Sequence, residues 1–209
     1  MYDERGALYV PPGHGRIRFS RQETYHILIA VAALTFAFYM ALTYGQSLTV
    51  DESVYYLAAS AIAVVTGFLL HELAHKFLAQ RYGAWAEFRV YPLGLVFAVF
   101  FALLAGWVFA APGAVYIQGR ITKEQNGKIS LAGPGLNLAF GAACVALLFV
   151  LPLMIILIIG WINLFLAVFN LIPFGPLDGA KVARWNIGIY VLVMGAAIAS
   201  LLFTWYYVF

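Results

Sequence analysis

Charged residues are scarce in this chain: Asp, Glu, Lys and Arg together fill 10% of its 209 positions. A soluble domain carries roughly 25%. That leaves too little polar surface to coat a water-soluble globule, so the composition points to an integral membrane protein. Cysteine is almost missing. The single Cys144 excludes an internal disulfide, and its apolar surroundings make it a small packing residue. The net charge is only +3. With no long basic stripe, nothing favours a nucleic-acid partner. Glutamate does not occur after Glu124.

What is abundant is hydrophobic residues, 64% of the chain, gathered into long runs. A bilayer crossing takes about 20 apolar residues. Runs of this kind lie near residues 25–45, 53–80, 93–111, 130–151, 153–174 and 187–209, with Pro152 marking a turn between the fourth and fifth. The first run follows Arg16, Arg18 and Arg21, is longer than a signal-peptide core and lacks a clear cleavage site, so it reads as a retained span. Residues 1–24 are polar, contain Pro11-Pro12-Gly13, and read as an irregular tail; 25–209 read as a single membrane-embedded domain. Two segments, Ala86–Tyr91 and Ala114–Ile121, alternate apolar and polar residues as short strands do. The polar stretch Lys123–Lys128 reads as a solvated turn.

Lys and Arg in short flanks set orientation. Arg5, Arg16, Arg18 and Arg21 put the N-terminus in the cytoplasm. Lys76, Arg81 and Arg89 put the end of the second run there, and Lys181 and Arg184 the end of the fifth. Run 93–111 has Arg89 before it and Arg120 after it, which favours a segment that dips into the membrane and returns. The expected fold is therefore an all-α polytopic membrane protein with about five transmembrane helices. To these are added a re-entrant or sixth apolar segment at 93–111 and short β-strands near the cytoplasmic side.

Three polar groups interrupt the second run near its end. His71 and His75 are four residues apart, which on a helix places both imidazoles on one face. Glu72 lies between them in sequence. This is the H-E-x-x-H arrangement of zinc peptidases, in which neutral imidazoles hold Zn2+ and the carboxylate serves as base. Two histidines leave the ion short of a protein ligand. Glu87 and Glu124 stand in charged, exposed-looking segments and are most simply solvated. Asp178 lies in Asn170–Gly179, where two prolines and two glycines break regular helix. It is either the third ligand or a turn residue before Gly179. A re-entrant 93–111 puts Asp178 on the same side of the bilayer as the histidines; a full crossing puts it on the other. Asn170 offers an amide for a developing oxyanion or a helix-to-loop cap. Asn137 is expected to satisfy backbone or pack against a helix, and Asn163 to form an interhelical hydrogen bond.

Three motifs now stand in order: His71-Glu72-Leu73-Ala74-His75, Ala132-Gly133-Pro134-Gly135-Leu136-Asn137, and Asn170-Leu171-Ile172-Pro173 running to Pro176-Leu177-Asp178-Gly179. In this the chain resembles the site-2 protease family of intramembrane zinc metalloproteases in its compact prokaryotic form, over about half its length. The resemblance implies that His71, His75 and Asp178 hold Zn2+, that Glu72 is the general base, and that Asn170 acts near the scissile carbonyl. It implies a substrate that is itself a membrane protein with a transmembrane helix, cut in or beside that segment. The expected location is the cell membrane, multi-pass, with the active site toward the cytoplasm. A metal-binding membrane transporter, a membrane-anchored peptidase cutting soluble chains, and a non-catalytic binder are the rival readings.

Overall fold

The computed structural model describes residues 17–108 and 111–208, the side chains of 207 and 208 excepted. Most of the polar tail expected at 1–24 thus lies outside the described residues. Ser20 ends that tail earlier than expected, because its hydroxyl accepts the Glu23 N–H at 3.1 Å and starts helix α1, Arg21–Leu42. A second cap, with Thr49 and Glu52 satisfying each other's backbone, opens α2, Val50–Val64. A π-helical turn, Val65–Leu69, carries α2 without a break into α3, Leu70–Arg81. Together they form one apolar helix of 32 residues, about 48 Å long at 1.5 Å per residue.

Strand β1, Trp85–Val90, follows, then α4, Pro92–Ala105, and β2, Gly113–Gln118. The two strands pair antiparallel with Phe88 opposite Val115 and Val90 opposite Gly113. The excursion between them therefore leaves and returns at one place, which Tyr91 N–H marks by donating to Pro112 O at 2.9 Å. Helices α5, Lys123–Leu148, α6, Met154–Asn170, α7, Asp178–Trp185, and α8, Ile187–Val208, complete the chain.

Both strands fall where alternation predicts them. The solvated turn expected at Lys123–Lys128 is instead the start of α5. Thr122 and Gln125 form a reciprocal cap there, and Glu124 pairs with Lys128 one turn on. Pro134 sits inside this helix.

Among the described residues, four helices are long and apolar enough to cross a bilayer: α1, the α2–α3 unit, α5 and α8. Helices α4 and α6, with 14 and 17 residues, reach only about 21 and 26 Å, short of a hydrocarbon layer of about 30 Å. The outward faces are apolar, with Val54, Leu57, Val96, Leu104, Leu192 and Leu202 all exposed. A surface of this kind suits lipid. Inside, small residues let helices approach. Ala30 and Ala37 of α1 and Ala98 and Ala102 of α4 are fully buried. A Cβ at Gly160 on α6 would come within 2.8 Å of Cys144 Cβ on α5. Phe88 of β1 is buried against Phe68 of the π turn, ring centroids 5.5 Å apart. That contact wedges the sheet into the bundle beside α3.

Candidate active site

The helical spacing of His71 and His75 does what it predicts. Both imidazoles are buried on one face of α3, and their Nε2 atoms are 3.0 Å apart. His75 Nδ1–H donates to Ile129 O on α5 at 2.7 Å, which leaves Nε2 as the lone-pair atom facing inward. Asp178, at the start of α7, brings Oδ2 to 3.0 Å from His75 Nε2 and 3.5 Å from His71 Nε2. One ligand atom from each of the three lies within 4.8 Å of the others. Tetrahedral zinc with bonds of about 2.0–2.1 Å spaces its ligand atoms roughly 3.3 Å apart, so the triangle fits the ion. Its chemistry fits too. The inward lone pair of His75 Nε2 and the Asp178 carboxylate, 3.0 Å apart, repel each other unless a proton or a cation lies between them.

The surrounding chain is shaped around that point. Gly133 of α5 faces it, and a Cβ there would lie 2.4 Å from His75 Nε2 and 2.6 Å from His71 Nε2. Gly179 lets the start of α7 close onto the end of α6, since a Cβ would meet Leu171 O at 1.9 Å. The second oxygen of Asp178 is held by Lys181 Nζ at 3.3 Å. The carboxylate therefore offers one oxygen inward and keeps the other for its lysine.

Glu72 is half-buried, and its Oε2 accepts the Val115 N–H of β2 at 3.0 Å. The other two acidic candidates are elsewhere engaged: Glu87 pairs with Arg89, and Glu124 with Lys128. Asn170 donates to Leu166 O within its own helix at 2.9 Å. It is not part of the three-ligand group.

The comparisons with known proteins follow the same line. A protein of Methanocaldococcus jannaschii named "Putative zinc metalloprotease MJ0611" is 42% identical to this chain over 182 residues, which is 84% of this chain and 91% of that protein. The chain belongs to this zinc metalloprotease family. Rip3 of Mycobacterium tuberculosis, given the same description, is 31% identical over 63% of the chain. The zinc metalloprotease MJ0392 of M. jannaschii is 28% identical over 72%. The chain spans 32% of Rip3 and 40% of MJ0392. No family model and no solved structure matches it.

Several features of this metalloprotease were not foreseen from its sequence. The π turn adds one residue to the helical ladder just before His71 and so turns α3 by about 100° relative to α2. Two buried asparagines fasten it. Asn137 of α5 donates to Gly67 O at 3.1 Å, and Asn163 of α6 donates to Thr66 Oγ1 at 2.9 Å. The second is the interhelical bond expected of Asn163, and the first is the backbone role expected of Asn137. The π turn itself left only a weak sign, the helix-poor pair Thr66-Gly67 in an apolar run. The link from Lys181 to Asp178 shows in the sequence only as an i, i+3 spacing, and that from Val115 to Glu72 left no sign.

Proposed function

We propose that this zinc metalloprotease hydrolyses a peptide bond within or beside a transmembrane segment of another membrane protein, as the site-2 proteases do. One observation carries the reading. The imidazoles and Glu72 stand on an apolar helix of membrane length, next to a strand whose outer edge faces Glu72.

That edge follows from the register. Val115 N–H goes to Glu72 and Phe88 N–H to Glu23 Oε1, so the pair Phe88–Val115 directs its N–H groups away from the sheet. A substrate helix hides its own carbonyls in hydrogen bonds and must unwind before it is cut. An unwound segment can then extend along the outer edge of β2 as a further strand, which draws its backbone past Glu72.

His71, His75 and Asp178 would hold the zinc. When bound, the ion supplies Lewis-acid polarisation and makes a water in its open position more acidic. Glu72 would accept a proton from the attacking water and return it to the leaving amide nitrogen. Asn170 uses one amide hydrogen on Leu166 O. Its second hydrogen remains available for the scissile carbonyl oxygen as charge develops there.

The site faces the cytoplasm in this reading. Arg18 N–H donates to Gln80 Oε1, Lys76 bonds Glu23, and a Cβ at Gly127 would touch Trp185. These contacts gather the starts of α1 and α5 with the ends of α3 and α7, and with them most of the basic residues, at one end of the bundle. Helix α4 is re-entrant in this reading, which the return of the chain at the Val90–Gly113 pair supports.

The test is incubation of purified enzyme with a synthetic membrane-spanning substrate, with and without chelator, and mass mapping of the fragments. A cut in or beside the spanning segment, lost with chelator, is the expected result. Cleavage of soluble peptides alone would overturn the reading.

A further inference from the structure

Lys76 immediately follows the second histidine, yet it is not at the metal. It is fully buried on another face of α3, and its Nζ contacts both carboxylate oxygens of Glu23 at 2.8 Å. Glu23, on α1, is fully buried as well. The Phe19 ring covers the ammonium at 4.7 Å. Neither charge has a part in the zinc chemistry. A buried ion pair is also a poor way to join two helices, since apolar side chains of similar volume commonly do so at least as well.

What the pair does that apolar groups cannot do is satisfy backbone. Glu23 Oε1 accepts the Phe88 N–H at 2.9 Å, and Lys76 Nζ donates to Ala86 O at 2.8 Å. Gln80 Nε2 adds a bond to the same carbonyl at 3.1 Å. By the same register that turns Val115 toward Glu72, residues 86, 88 and 90 point their polar groups outward from β1, and the first two are the ones that meet the ion pair.

We infer that Glu23 and Lys76 are positioning residues for catalysis. They close the outer edge of β1 and fix the sheet to the zinc-binding helix, so that a substrate strand joins β2 and enters in one register. The inference rests on the strand-addition reading above and adds which edge is closed and which residues set the register. A strand that slips by two residues keeps its facing side chains. A loosened sheet therefore presents neighbouring bonds two residues apart to Glu72.

The test compares the parent with Glu23→Leu/Lys76→Met, a swap of similar volume, and with Glu23→Gln, which keeps an acceptor for Phe88 N–H. Zinc content of the double variant is expected to match the parent, while its thermal midpoint should fall because the buried Phe88 N–H loses its acceptor, as a fold-only role for the pair would also allow. Its KM for a membrane-spanning substrate should rise at least tenfold, and its single cut should spread to bonds two residues to either side. Glu23→Gln should keep the single cut. A folded, zinc-loaded double variant that cuts the parent's bond with the parent's KM overturns the inference.

Hydrogen exchange on the unmodified, chelator-treated enzyme decides the matter even if the double variant fails to fold. The Phe88 amide should exchange at least tenfold more slowly than the Ile117 amide, which points outward from β2 by the same alternation, and an added membrane-spanning peptide should slow Ile117 and leave Phe88 unchanged. A Phe88 amide as fast as Ile117 overturns the inference. If the parent cuts no membrane-spanning substrate, the proposed function fails, while the Phe88 rate still reports on whether β1 is closed.

Discussion

The Glu72 carboxylate accepts the backbone N–H of Val115 at 3.0 Å, so the edge of β2 touches the residue that follows His71. The helix that carries the two imidazoles and strand β2 are thereby joined through one side chain.

Glu72→Gln preserves size and the acceptor for Val115 but removes the proton carrier. Zinc stoichiometry should stay at the parent value while kcat falls about 10²–10⁴-fold, the usual worth of general acid–base catalysis. Asn170→Ala should lower kcat about 10²-fold with zinc retained. A change in thermal midpoint with kcat intact would instead mark Asn170 as a helix cap.

Lys181→Met frees the second oxygen of Asp178, which Lys181 holds at 3.3 Å. Loss of such an outer partner commonly costs 10–100-fold in metal affinity. Competition with a chromophoric chelator should show zinc affinity falling within that range, with helix content unchanged.

Gly133→Ala places a methyl 2.4 Å from His75 Nε2. Zinc binding should be lost although α5 remains helical by circular dichroism. Gly135→Ala, two residues on, meets nothing within 4 Å. It should bind zinc normally and, alanine being the better helix former by about 1 kcal/mol, lose no stability.

Asn137→Ala strands the buried Gly67 carbonyl of the π turn. An unsatisfied buried acceptor costs about 1–3 kcal/mol. The thermal midpoint should drop accordingly, and zinc affinity should fall with it, because the π turn sets the rotation of α3.

Val115→Pro removes the N–H that Glu72 holds. Proline is tolerated on an edge strand where the lost donor is outside the ladder, as it is here. The variant should fold and bind zinc, yet cut membrane-spanning substrates at least tenfold more slowly. Unchanged cutting would remove β2 as the docking edge.

The parts of this molecule that were legible in the sequence are those written locally. The i, i+4 spacing of His71 and His75, the alternation in β1 and β2, and the helix-breaking run before Asp178 each state their geometry within a few residues. Asn163 could be assigned an interhelical bond because an amide in an apolar span has few other uses. The start of α5 was misread because Lys123–Lys128 is polar enough for a turn, and only the reciprocal cap between Thr122 and Gln125 makes it helix. Glu23 and Lys76 are 53 residues apart. Nothing near either one announces a buried partner, so their pairing is visible only once α1, α3 and β1 are packed together.

The separation of the ligands along the chain has one more consequence. His71 and His75 are complete when α3 has been made, but Asp178 arrives only after α4, α5 and α6 have followed. A nascent chain halted anywhere before α7 carries two imidazoles and no closing carboxylate. The three-residue group thus cannot close while α4, α5 and α6 are still being made, and a zinc metalloprotease whose site it is stays unarmed until α7 has followed them.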